Sequence, residues 1–402
     1  MTSNERIKDK IDLYFDDAVA IRTYLHENPE LSDQEYETSK YLKEKCKDLG
    51  LLIEDVRDST GFTALLDTGR AGKILGIRTD IDALPIEESE YNLKNKKEVI
   101  SKNPGVSHAC GHDSHMATLL TAARILAELK DDLNGKIYFI FEEGEETGGG
   151  IHQMLDHLED KNLDAVYGNH ISPFMDVGEF KVIKGLSHAG CADVDFDVVG
   201  KGGHASRPDK CNNPLTATAQ ILNALTNAWV HRLDVRDTVT FGIGAINGGT
   251  TSNVIPDRCN VKGTLRFQNP EAGKEALELF KEVATATAKA NRCEIIFNDD
   301  TEIVTDPVIN DPELTDKVRQ SLEDIYPGSR TEAEPGYGAE SFYGYSKLCP
   351  TVFTRFGAGN DEKGIRAGAH TPEFEIDPEG IKYGIGLQVK FATDFLTGVF
   401  DD

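Results

Sequence analysis

The chain is poor in positive charge: 43 lysines and arginines stand against 69 aspartates and glutamates, a formal net charge of -26 over 402 residues. Phosphate binding draws most of its affinity from clustered Lys and Arg, so no nucleic-acid partner is expected. No run of about 18 apolar residues occurs, which a membrane-spanning helix would need. The opening MTSNERIKDKIDLYF is charged where a secretory leader carries an apolar stretch. These absences predict a cytoplasmic protein with no membrane association. Cysteines are few and odd in number, seven in all at Cys46, Cys110, Cys191, Cys211, Cys259, Cys293 and Cys349. That scatter does not read as a disulfide framework, and most of them read as core thiols, Cys110 excepted.

The length exceeds what one hydrophobic core normally organises, so two domains are expected. Charged and apolar residues alternate at helical spacing from about Asn4 to Glu30, and a second helical stretch ends at Gly50. Short apolar runs follow: LLIEDV, FTALLD, KILGIRTDIDAL, KIYFIFEE and DAVYGNH read as strands, with the helix MATLLTAARILAELK between the third and fourth. This alternation predicts an α/β domain with a central, mostly parallel sheet and a site at the C-terminal ends of its strands. Between about Ser187 and Asp300 the order becomes β-α-β-β-α-β, the ferredoxin-like arrangement. The expected organisation is a discontinuous catalytic domain, residues 1–186 and 302–402, carrying an inserted α+β domain over 187–301.

Chemistry concentrates in HACGHDSHMA, residues His108 to Ala117. Cys110 and His112, two apart in a glycine-containing turn, can face one centre as metal donors. His108 and His115 fit helix capping and packing at least as well as ligation. A second cluster, FEEGEETGGG, ends a buried-looking strand in carboxylates. Adjacent Glu145 and Glu146 suit a division of labour in which one holds metal and the other accepts a proton from water. No Lys-Ser/Thr pair follows Gly148 to Gly150, so the glycines read as a tight turn and not a phosphate loop. His170 ends the strand DAVYGNH, and His370 lies in GAHTPEF after the strand TVFTRFGA. Cys110, His112, Glu146, His170 and His370 make five donors, enough for two divalent cations if the thiolate bridges them.

Ordered blocks along nearly the whole chain carry a resemblance: HENPELS, RTDIDALPIEE, HACGHDSHMA, the Glu145-Glu146 pair, GNHISP, GKGGHASRP, NVIP, GTLRF, GAESFYGY and HTPEF. The chain resembles the dinuclear metallopeptidase and amidohydrolase superfamily of aminoacylases and carboxypeptidase G-type enzymes, in particular its branch of hippurate hydrolases and indole-acetyl-amino-acid hydrolases. The resemblance implies that Cys110 bridges two metals, with His112 and His170 at one and Glu146 and His370 at the other. Glu145 would be the general base and Asp82 would orient the site. Asp80 stands where many relatives outside the branch place a metal-binding histidine. It further implies a homodimer built through the inserted domain, with His204 reaching the partner's site to stabilise the oxyanion. Asn253 and Arg266 would bind the substrate carboxylate. The expected reaction is hydrolysis of the amide bond of an N-acyl amino acid by a metal-bridged hydroxide. The donors suit zinc or manganese, with cobalt or nickel also compatible. A dipeptidase or carboxypeptidase is the nearest alternative and a non-catalytic binding protein a further one. A Cys110 nucleophile is disfavoured, because a thiolate committed to two cations is poorly available for attack.

Overall fold

The computed structural model describes residues 3–299 and 301–401. The chain forms two compact units. The larger takes the residues up to Ser187, then Ile309–Glu334, then those from Gly344 onward; the smaller takes His188–Val308 and Pro335–Tyr343.

The larger unit opens with helices α1 (Ser3–Glu27) and α2 (Tyr36–Asp48). Strands β1 (Leu52–Asp55), β2 (Phe62–Asp67) and β3 (Ile74–Asp80) follow, then α3 (His112–Glu128), β4 (Lys136–Glu142), α4 (Ile151–Leu158), β5 (Ala165–Asp176) and β6 (Phe180–Lys181). With the late strand Thr351–Gly359 these make a seven-stranded sheet, ordered β1, β2, β4, β3, β5, Thr351–Gly359, β6. The four central strands run parallel, and antiparallel pairs close both edges. Central strands are covered on both faces, which is why IYFIFE of β4 is buried without alternation. Phe62 stacks on Phe141 with ring centroids 4.4 Å apart, locking β2 to β4. The helix α3 begins at His112, four residues ahead of the expected MATLLTAARILAELK, so His112, Asp113 and His115 stand in its first turns.

In the smaller unit the strands Gly190–Val199, Val239–Asn247, Arg258–Phe267 and Glu294–Phe297 form an antiparallel sheet, with Val239–Asn247 at one edge. Helices Pro214–Arg232 and Pro270–Ala290 pack on it. Both start the same way: Asn213 and Asn269 cap the first turn, accepting from Leu215 N and Glu271 N at 3.0 Å, and proline follows at the position whose N–H is not needed. Residues 302–308 and 335–343 cluster with this unit, not with the second part of the catalytic domain where the sequence reading places them. Strand Ile303–Thr305 pairs with Ala192 and Cys191, and Ala189 N donates to Gly336 O at 3.0 Å. Among the described residues no helix is long and apolar enough to cross a membrane.

Candidate metal centre

The ends of β3 and β4, the middle of β5, the start of α3 and the loop around His370 converge in the larger unit. Gly111 sits before α3 at φ +90°, where a Cβ would lie 2.7 Å from Ile171 Cγ2. Only glycine lets the Cys110–His112 turn come this close to the middle of β5, which does not end at His170 as the sequence suggests but runs on to Asp176. His370 is held at φ 63°, a strained value for a non-glycine residue, and its N–H donates to Ala109 O at 2.8 Å. That bond pins the His370 loop beside Cys110.

The result is two overlapping donor groups, Cys110 with His112 and His170, and Cys110 with Glu146 and His370; within each group the donor atoms lie within 4.8 Å of one another. Cys110 Sγ is 3.4 Å from His170 Nε2, and Glu146 Oε2 is 3.3 Å from His370 Nε2. A third group joins His112 with Glu145 and Glu146, both in the turn after Gly144. Hydrogen bonds orient the imidazoles. His112 Nδ1 faces Asp82 O at 3.0 Å and Asp82 Oδ1 at 3.1 Å, so it donates and leaves Nε2 to point inward. His170 Nδ1 donates to Ile171 O at 2.6 Å. Asp82 Oδ2 accepts from Ser32 Oγ at 2.7 Å and from Glu146 N at 3.0 Å, so one carboxylate aligns His112 and the Glu145–Glu146 turn together.

Asp80 and His115 belong to a layer beneath. Asp80, His112 and His115 also bring donor atoms within 4.8 Å of one another, but His115 Nε2 accepts from Ile171 N at 2.9 Å and its Nδ1 donates to Asp80 Oδ1 at 2.8 Å, so both its nitrogens are already engaged. Asp80 Oδ2 accepts from Arg78 at 2.9 Å, and Arg78 also binds Glu142, to which the Tyr345 hydroxyl donates. The Glu142 and Tyr345 partners were not legible in the sequence, because they come from the pairing of β3 with β4 and from a turn far along the chain. Neither was the support that the HENPELS block gives Asp82 through Ser32.

Burial dominates the electrostatics of the centre. Burial pushes the Cys110 thiol far above its ordinary range. Burial opposes charge on His112 too, but the Asp80 carboxylate outweighs it and raises the ring well above the usual imidazole range. Burial and the nearby His115 hold His170 well below it. Two buried atoms aimed into the centre, His112 Nε2 and Glu146 Oε1, have no hydrogen-bond partner among the described residues. Nitrogen, thiolate and carboxylate donors with inward lone pairs fit divalent metal ions.

In the smaller unit His204 pairs with Val254 across a two-stranded ribbon, and Ala205 N donates to Asn253 O at 3.0 Å, so His204 and Asn253 are neighbours. His204 Nδ1 is held by Ser206 N at 3.1 Å. Arg266 is not with them. It pairs with Cys191 at the start of strand Gly190–Val199, whereas the ribbon leaves the sheet beyond Val199 and Arg258. The register puts Arg266 roughly 25 Å along the strand from Arg258, at about 3.3 Å per residue.

Comparison with known proteins decides the family. The profile of peptidase family M20/M25/M40 matches residues 76–394. The chain belongs to that family. It is 34% identical to thermostable carboxypeptidase 2 of Saccharolobus solfataricus, over 97% of this chain and 98% of that one. It is 31% identical to IAA-amino acid hydrolase ILR1-like 5 of Arabidopsis thaliana, over 95% of this chain and 87% of the relative. A solved structure from Bacillus subtilis, described as a dinuclear metal binding peptidase from the M20 family, superposes with a TM-score of 0.80 at 27% identity, covering 96% of this chain and 99% of that one. As an M20/M25/M40 member the protein is a metal-dependent amidohydrolase.

Proposed function

We propose that this M20/M25/M40 enzyme cleaves the amide bond of N-acyl amino acids at two divalent cations held by Cys110, His112, His170, Glu146 and His370. The observation that carries this reading is the membership of Cys110 in both donor groups, which suits a thiolate serving two ions. Zinc or manganese suits the mixed donors best, and cobalt or nickel also fits. When bound, such ions polarise the scissile carbonyl and lower the pKa of water towards about 7. Glu145, beside Glu146 and His112, accepts the proton of the attacking water and returns it to the leaving nitrogen. Asp82 keeps His112 in the tautomer that presents Nε2.

The smaller unit contributes His204, Asn253 and Arg266, and their placement supports a homodimer. Asn253 and Arg266 stand too far apart for one small substrate to touch both within a single chain. Two copies joined through the unpaired edge of strand Val239–Asn247, where Ile243 and Ile246 are 43% and 50% exposed, offer the missing proximity. In such a dimer His204 of one subunit stabilises the oxyanion formed in the other, and Arg266 binds the substrate carboxylate by a paired hydrogen bond.

A carboxypeptidase or dipeptidase activity is the second reading, favoured by the likeness to thermostable carboxypeptidase 2. A panel of N-acetyl and N-benzoyl amino acids and dipeptides, assayed with and without chelator, separates the two. The highest kcat/KM is expected on N-acyl amino acids, with loss on chelation. Higher kcat/KM on dipeptides would favour the second reading, and no turnover by metal-replete protein would favour a binding protein.

A further inference from the structure

The HENPELS block leaves one buried side chain, His26, without a part in the reaction. It lies at the centre of a chain of charges inside the larger unit. His26 Nδ1 is 2.8 Å from Asp113 Oδ2, which Arg22 Nε also approaches at 2.7 Å. His26 Nε2 is 3.0 Å from Glu88 Oε1, and Lys97 Nζ donates to the same oxygen at 2.9 Å. Lys97 Nζ donates again, to Pro372 O at 3.0 Å, where Ser89 N also donates at 3.0 Å. His26, Asp113, Lys97 and Arg22 are all buried.

The two ends of this chain matter. Asp113 directly follows His112 in the first turn of α3, and Pro372 lies two residues after His370. The chain therefore joins the segments that carry ligands of the two donor groups. Other polar ties of the His370 loop among the described residues are His370 N to Ala109 O, Thr371 Oγ1 to Gly368 O, Phe374 N to Thr371 O and Asn92 Nδ2 to Glu375 Oε2; the Pro372 carbonyl is the one that Lys97 holds. A buried lysine is costly unless paired, and here its charge is spent on Glu88 and on one backbone oxygen of this loop.

We infer that Lys97, linked to His26 through Glu88, is a positioning residue that sets the His370 loop against the His112 turn and so tunes the Glu146–His370 metal position selectively. This rests on the two-cation reading above. Outer partners of metal ligands typically affect affinity by about 10- to 100-fold.

The test titrates zinc into the metal-free full chain against a chromophoric chelator, with thermal melting of the metal-free forms alongside. Lys97→Met is expected to weaken one zinc equivalent by about 10- to 100-fold and leave the other within about threefold. Lys97→Arg, which keeps a donor and a charge, is expected to restore most of the loss. In the His370→Ala background, Lys97→Met is expected to have no further effect on the remaining equivalent. Glu88→Gln cuts the same link at its middle with a near-isosteric side chain, and decides the matter if Lys97→Met does not fold. Two equivalents bound as in wild type, with only the melting temperature lowered, would show a purely structural network and overturn the inference. So would equal weakening of both equivalents. Fewer than two equivalents in the wild-type protein would instead remove the two-cation reading itself.

Discussion

His112 Nε2 and Glu146 Oε1 lie 3.8 Å apart, both buried and neither hydrogen-bonded among the described residues. Buried polar atoms without a hydrogen bond are costly. A cation close to both removes that cost, which is why the pair anchors the functional reading. The outer bonds of both residues, to Asp82, are complete.

Glu145→Gln removes the proton acceptor while sparing every proposed ligand. Metal content should stay near wild type and kcat should fall about 100- to 10,000-fold. Elemental analysis and steady-state kinetics on one preparation check this. Near-wild-type turnover would move the base elsewhere, with Glu146 or Glu143 next.

His204→Ala is expected to lower mainly kcat, and Arg266→Ala mainly to raise KM. If His204 acts across the interface, mixing Glu145→Gln with His204→Ala and allowing subunits to exchange should restore activity, because one site of each mixed dimer keeps both groups. A mixture that exchanges and stays inactive contradicts the cross-subunit role, as does a monomer in solution.

A pH effect is expected at Glu35, which supports the Gly144 turn and is not itself a proposed ligand. Burial raises the Glu35 carboxyl to about 7, against the bonds it accepts from Thr60 and Gly144. A folded-state pKa above the unfolded value of about 4.5 means that its stabilisation is full below about pH 4.5 and is lost as pH rises through 7. Protonated Glu35 can donate to Thr60 Oγ1, which then donates to Glu143 Oε2 2.7 Å away. Glu35→Gln imitates that state. Its melting temperature should match wild type near pH 5 and exceed it at pH 8; a constant difference at both would refute the assignment.

The donor groups that the structure gathers were foreshadowed by dense blocks: Cys110, His112 and Glu146 follow or flank the ends of β3 and β4, whereas His170 lies within β5 and His370 in a later loop. HACGHDSHMA could be read as chemistry from composition alone. What could not be read was how α3 begins. A glycine between histidines reads as a turn, and the helix starts at His112 because Gly111 adopts φ +90° against β5. His115 stayed ambiguous for a related reason: its exclusion as a ligand depends on Ile171 N and Asp80, which lie far off in sequence. Arg266 and Asn253 looked like partners on one small domain, yet antiparallel register sends them to opposite ends of the sheet. The Pro335–Tyr343 segment clusters with the smaller unit through backbone bonds that leave no local pattern.

Metal stoichiometry of Cys110→Ser and His370→Ala tests the central claim most directly. Wild-type protein should hold two divalent ions per chain. Cys110→Ser should weaken both, because one ligand serves two ions, whereas His370→Ala should mainly empty one. Cys110→Ser still holding two ions as tightly as wild type would contradict the account.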